Sequence, residues 1–238
     1  MNGSLVSPAT RQRVRDLATP IARGLGRLGL TPNALTLMGF LGTCVAALAA
    51  ASQAWLAAGI LVLGFGVFDL FDGALARATG RATQFGAFLD STFDRMGEAI
   101  VYVGIAAGSL AGGFELGAIL AASAMAAAFM VSYTRAKAES LGFASGTGLA
   151  NVGFAPREVR TAVLGAGLIL TGFQFAFLEP ERCVEQSPGV FACVNVLYSS
   201  IPIWGSAVLA ATVGLITILA TLTTIQRILH VRAQSREG

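Results

Sequence analysis

Residues 69–94 read DLFDGALARATGRATQFGAFLDSTFD, which sets Asp69, Asp72, Asp90 and Asp94 into an otherwise oily chain. Asp69 and Asp72 are three residues apart, and Asp90 and Asp94 are four apart. Each pair therefore shares one face of a helix. The glycine-bearing run ARATGRATQ between them predicts a turn that folds the second helix back against the first. All four carboxylates then converge at one end of a helical pair. An unpaired Asp at mid-membrane would cost about 2.5–3.5 kcal/mol, so such a group needs a compensating partner. Hard oxygen ligands with no His or Cys beside them point to Mg²⁺ or Mn²⁺ rather than zinc.

Outward from this stretch, composition sets the solvent. Hydrophobic residues make up 55% of the chain and charged residues 12%, with a mean hydropathy of +0.71. Soluble domains carry roughly 25% charged residues. Stretches near the length of a bilayer span occur at about 34–51, 55–77, 84–111, 114–138, 158–178 and 202–229. The expected fold is all-α, a polytopic membrane protein with six transmembrane helices. Residues 1–30 are expected to form an N-terminal amphipathic, interfacial helix, and 31–238 a single membrane domain. In that leader Val14, Leu17, Ala18, Ile21 and Leu25 fall on one helical face, with arginines around the rest. A basic, amphipathic start of this kind does not read as a cleavable signal peptide.

Charge is distributed unevenly. Arg11, Arg13, Arg15, Arg23, Arg27, Arg81, Arg135, Lys137, Arg157, Arg160, Arg227, Arg232 and Arg236 fall on one side of a six-span topology. Arg182 lies on the other, beside Glu179, Glu181 and Glu185. The positive-inside rule makes the basic side cytoplasmic, with both termini and the carboxylate cluster there. Topology and anionic lipid account for the basic residues, so nucleic-acid binding is not expected. Cys183 and Cys193 share the predicted outer loop, 178–200, where a disulfide is left open.

Two physical readings of the buried acids compete with a metal site. One is a set of ion pairs with Arg77, Arg81 and Arg95. The other is a proton or cation pathway through a transporter. The full spacing D-x2-D-G-x2-A-R-x8-G-x3-D-x3-D has no structural need to exist. It resembles the signature of the CDP-alcohol phosphotransferases, integral membrane enzymes of phospholipid synthesis. The segment LTPNALT before the first span is similar to that family's P-N-x-x-T.

The resemblance implies two metal ions held by Asp69, Asp72, Asp90 and Asp94, with Asp94 also the general base on the acceptor hydroxyl. It implies a CDP-linked lipid donor, bound by Asn33, Thr36, Gly73, Arg77, Thr83 and Gly86, and a homodimer. At the acceptor end, Arg135 and Lys137 close the fourth span, Arg157 and Arg160 open the fifth, and Arg227 leaves the sixth. Bases from three helices facing an acidic centre suit an anionic, phosphorylated polyol. These segments resemble the prokaryotic phosphatidylinositol-phosphate synthases, although the first basic pair runs Arg135 then Lys137 where that group has lysine then arginine. The implied acceptor is inositol 1-phosphate, with glycerol 3-phosphate the alternative. The donor lipid is diacylglycerol-based or an archaeal ether lipid.

Overall fold

The structure is a computed structural model and describes residues 19–143, 153, 155–177, 183–187, 190–193 and 203–237. Residues 19–27 form helix α1. The remaining helices are α2 (Pro32–Ala51), α3 (Trp55–Gly66), α4 (Phe68–Ala78), α5 (Gln84–Ala111), α6 (Glu115–Ser140), α7 (Arg157–Phe177) and α8 (Ile203–Glu237).

Caps and turns explain the boundaries. Thr31 caps α2 by accepting from the Ala34 N–H at 3.2 Å, with Pro32 in the first turn, where a missing donor costs least. Thr83 caps α5 in the same way, accepting from the Gly86 N–H at 3.0 Å. Between α4 and α5 the chain reverses at Gly80, whose φ of +64° suits a residue without a Cβ.

The expected second span, 55–77, is broken. Helix α3 ends at Gly66, and α4 restarts at Phe68 after Val67. A Cβ on Gly42 of α2 would stand 2.1 Å from the Phe65 ring, so this glycine lets the end of α3 press against α2. The break puts Asp69 in the first turn of α4, where unpaired backbone N–H groups favour a carboxylate. The fold is all-helical as expected apart from a short hairpin in the connection between α7 and α8. Strands β1 (Cys183–Ser187) and β2 (Val190–Cys193) pair as an antiparallel hairpin with Cys183 opposite Cys193. The side chains of that pair lie outside the described ones, and so does the question of their disulfide.

Helices α2 and α5 form the most extensive contact among the described residues. A Cβ on Gly104 would lie 2.3 Å from the Ala47 carbonyl oxygen, and one on Gly108 would lie 2.1 Å from that of Ala50. Small residues here let the backbones touch, as packing within lipid favours. Trp55, Tyr102, Ile105, Leu168, Leu209, Val213 and Ile216 fill the core of the bundle. A smaller cluster of Ala22, Leu35, Ala74 and Leu75 joins α1 to α2 and α4. Leu25 packs against it, whereas Ile21 is exposed; Val14, Leu17 and Ala18 lie outside the described residues.

Large apolar side chains point outward along the bundle, among them Leu41, Leu48, Ile60, Val103, Leu110, Ile119 and Ile218. Such a surface fits hydrocarbon rather than water. Among the described residues, four helical segments are long and apolar enough to cross a membrane: Pro32–Ala51, Trp55–Ala78, Glu115–Ser140 and Ser206–Arg236. This is a multi-pass membrane protein. Helices α5 and α7 carry the charged residues of the site, Asp90, Asp94, Arg95 and Glu98 on one and Arg157 and Arg160 on the other.

Candidate active site

Three carboxylates, one from α4 and two from α5, meet beside α2. One oxygen each from Asp69, Asp90 and Asp94 lie within 4.8 Å of one another. The α3–α4 break sets Asp69, and the four-residue spacing on α5 stacks Asp90 under Asp94. Asp72 is buried, and its Oδ2 accepts from the Thr36 hydroxyl at 2.6 Å. The predicted quartet is thus a tight trio plus one aspartate tied to α2. Asp90 Oδ1 is buried with no hydrogen-bond partner among the described residues. A buried acceptor left open costs free energy, so this oxygen is poised to take a ligand. Clustered hard oxygens with open acceptor capacity fit a divalent cation such as Mg²⁺ or Mn²⁺.

The cationic side differs from the sequence expectation. The sequence places Arg157 on an acceptor phosphate, yet its Nη1 bonds Asp69 and lies 2.7 Å from Asp94 Oδ1. Arg95 stands 3.8 Å from Asp94. Arg160 is 2% exposed, and its Nε and Nη2 donate to the Glu98 carboxylate at 2.7 and 2.8 Å. Arg227 is also buried and donates to the Val131 carbonyl. Arg135 pairs with Glu139 one turn on at 2.8 Å, and Lys137 is exposed.

The residues expected to hold a nucleotide fall into two groups. A Cβ on Gly86 would come 3.1 Å from Thr83 Oγ1 and 3.2 Å from Asn33 Oδ1, so those three residues meet where α2 and α5 begin. A Cβ on Gly73 would come 3.3 Å from Arg77 Nη1, so this glycine leaves backbone open beside a guanidinium. Thr36 reaches the cluster through Asp72.

Glu98 is a site residue that the motif spacing does not include. A signal for it exists, since it follows Asp94 by the same four residues that separate Asp90 from Asp94. A cleft lined by Thr43, Glu98, Tyr102, Arg157 and Arg160, among others, adjoins the carboxylates.

A sequence profile of CDP-alcohol phosphatidyltransferases matches residues 29–179, which include every carboxylate of the site. The chain belongs to the CDP-alcohol phosphatidyltransferase family. It is 39% identical over 154 residues to the archaetidylinositol phosphate synthase of Pyrococcus horikoshii, covering 65% of this chain and 77% of the relative. It is 36% identical over 188 residues to the phosphatidylinositol phosphate synthase of Cutibacterium acnes, covering 77% and 87%.

The fold is similar to crystal structures of Mycobacterium tuberculosis phosphatidylinositol phosphate synthase, at 28% identity. The structure with manganese and citrate gives a TM-score of 0.68 and covers 90% of this chain and 88% of that one. The structure with CDP-DAG bound gives 0.67, with 91% and 94% covered. Family membership makes this chain a phospholipid-synthesising, metal-dependent transferase, and the transporter reading falls away.

Proposed function

We propose that this enzyme transfers a phosphatidyl-type group from a CDP-linked lipid to inositol 1-phosphate and releases CMP. The observation that carries the reading is the Asp69–Asp90–Asp94 trio with a guanidinium from α7 at its edge. One element suits a pyrophosphate with its cations, and the other suits an anionic acceptor. The relatives named for inositol phosphate products support that acceptor.

Asp69, Asp72, Asp90 and Asp94 would hold two ions, Mg²⁺ or Mn²⁺. Bound there, the ions would neutralise the pyrophosphate and stabilise the attacking and leaving oxygens. Asn33, Thr36, Gly73, Arg77, Thr83 and Gly86 seat the cytidine diphosphate. Gly73 gives the phosphates access to the backbone, and Arg77 offers its charge to them. Arg135, Lys137, Arg157, Arg160 and Arg227 receive the acceptor phosphate.

Asp94 takes the proton from the acceptor hydroxyl as that oxygen bonds to the lipid-side phosphorus. The bond from that phosphorus to the bridging oxygen breaks, and CMP leaves with the electron pair. The lipid tails stay in the bilayer throughout, which is why the centre belongs at the end of a helical bundle.

Helices α5 and α7 complete six spans in this reading, their charged residues turned to the interior. The basic end faces the cytoplasm of the plasma membrane, carries both termini, and begins with an interfacial amphipathic helix. A homodimer follows from the family resemblance.

The test is CMP release by purified protein with CDP-diacylglycerol and Mn²⁺, with inositol 1-phosphate, with glycerol 3-phosphate, or with neither. Release only with inositol 1-phosphate is expected. Release with glycerol 3-phosphate instead would keep the centre and move the acceptor.

A further inference from the structure

The backbones of α4 and α5 hardly approach each other, whereas each packs closely along α2. The separation of Asp69 from Asp90 and Asp94 is therefore set by a third helix, one that supplies none of the three carboxylates.

Two neighbouring residues of α2 meet the chain one residue before an aspartate of each helix. Gly39 is buried and faces α4. A Cβ there would lie 3.2 Å from the Cβ of Phe68, 3.7 Å from the Phe65 carbonyl oxygen and 3.9 Å from Asp69 Oδ1. Phe40 faces α5, its ring stacked on that of Phe93 with centroids 4.7 Å apart and planes 13° from parallel. Phe68 precedes Asp69, and Phe93 precedes Asp94. Thr43, one turn on, donates to the Gly39 carbonyl at 2.8 Å, and its methyl carbon would stand 3.2 Å from a Cβ on Gly97 of α5. Residues 39 and 40 thus meet both sides of the carboxylate centre next to its aspartates.

Inside a helix a glycine is less stable than an alanine, and Gly39 has no positive φ to require one. What it offers is room. A methyl group there would crowd the first turn of α4, and Phe68 would have to give by a few tenths of an ångström. Asp69 follows Phe68 in the chain and moves with it. The α5 side is not free to follow, because stacked rings prefer a particular offset. Magnesium in particular demands near-ideal placement of its oxygen ligands.

We propose that Gly39 and Phe40 are positioning residues of the metal centre, offering no ligand atom and fixing how far Asp69 of α4 stands from Asp94 of α5. This rests on the reading of the aspartates as metal ligands. It adds to the centre two residues that lie outside the spaced aspartate motif.

The test is Mn²⁺ binding to purified protein without CDP-lipid, followed by the electron paramagnetic resonance signal of the free ion. For Gly39→Ala the dissociation constant is expected to rise roughly tenfold, as losses around metal ligands do. Phe40→Leu keeps an apolar side chain and loses the stack, and a severalfold rise is expected. Gly64→Ala adds the same methyl group to α3, where nothing lies within 4 Å, and should bind Mn²⁺ like the wild type.

A merely structural role for Gly39 would lower the unfolding temperature of the metal-free protein and leave the Mn²⁺ constant alone, which overturns the proposal. Equal weakening in Gly64→Ala overturns it too, since any methyl group near the α3–α4 break would then do the same. Should Gly39→Ala fail to fold, Phe40→Leu carries the test, and an unchanged constant there overturns the proposal. Wild-type protein that binds no Mn²⁺ would sink the reading of the aspartates as ligands, and the proposal with it. Binding that is lost in Asp69→Asn yet equal in the wild type and Gly39→Ala would sink the proposal alone.

Discussion

The acidic and basic halves of the site are built on opposite terms. The carboxylates come from α4 and α5, neighbours in sequence joined by one turn, and they keep acceptor capacity in reserve at Asp90 Oδ1. The arginines come from α6, α7 and α8, and most are already engaged: Arg160 on Glu98, Arg227 on a carbonyl, Arg135 on Glu139. Among the described residues of these three helices, Arg157 is the arginine that pairs with the carboxylate trio. The acidic half is organised to gain a ligand. The basic half is organised to hold its own geometry, its arginines resting on internal partners.

The sharpest test of that contrast is Asp94→Asn. It keeps the size of the side chain and removes both a metal-binding charge and the proposed base. Turnover should fall by at least about a thousandfold, read as CMP release, while binding of the CDP-lipid persists. Retained turnover with binding lost would reverse the roles assigned to the two halves.

Next in size is stability. Arg160→Ala leaves Glu98 buried and unpaired, and losing one partner of such a pair costs about 3–5 kcal/mol. Arg157→Ala should destabilise less, since its side chain is 25% exposed. Added Mn²⁺ should recover the Arg157→Ala loss, because a cation can replace the missing guanidinium between Asp69 and Asp94. It should leave the Arg160→Ala deficit untouched. Thermal unfolding with and without Mn²⁺ reads both, and equal recovery would erase the distinction between a replaceable and a fixed arginine.

The two halves are also unequally legible in the sequence. Carboxylate spacing on a helix is a local property, so the residue pattern by itself stacks Asp90 and Asp94 on one face of α5. Helix limits are legible for the same reason, and α5 begins and ends at the expected residues 84 and 111. The break at Val67 is not, because it depends on Phe65 and Phe68 meeting Gly42 and Gly39 of another helix. The hairpin at Cys183–Cys193 is hidden by its setting in a long connection between helices. Arg157 and Arg160 read as a pair, yet their partners are more than sixty residues away. Nothing local says which of two neighbouring arginines meets the aspartates and which meets a buried glutamate.

A smaller effect is expected at the nucleotide end. Gly86→Ala would place a methyl group 3.1 Å from Thr83 Oγ1 and 3.2 Å from Asn33 Oδ1. Those side chains must give by a few tenths of an ångström, so the fold should tolerate the change. The KM for the CDP-lipid should rise severalfold with the acceptor KM unchanged. A rise in the acceptor KM instead would mean that the two pockets are not separable along the acidic and basic halves.

The smallest predicted effect tests the least engaged arginine. The Arg135–Glu139 pair is exposed and spans one helical turn, an arrangement worth about 0.3–0.5 kcal/mol. Arg135→Ala should therefore leave thermal stability almost unchanged, and any rise in the acceptor KM then reports contact with the acceptor phosphate itself. Glu139→Gln supplies the opposite sign, since it releases Arg135 from its internal partner and should lower that KM or leave it level. If Arg135→Ala and Glu139→Gln both leave the KM alone, Arg135 is an interfacial arginine with its charge in the headgroup region. The acceptor phosphate would then be held by α7 and α8 together with Lys137, and the basic half would be narrower than the sequence implies.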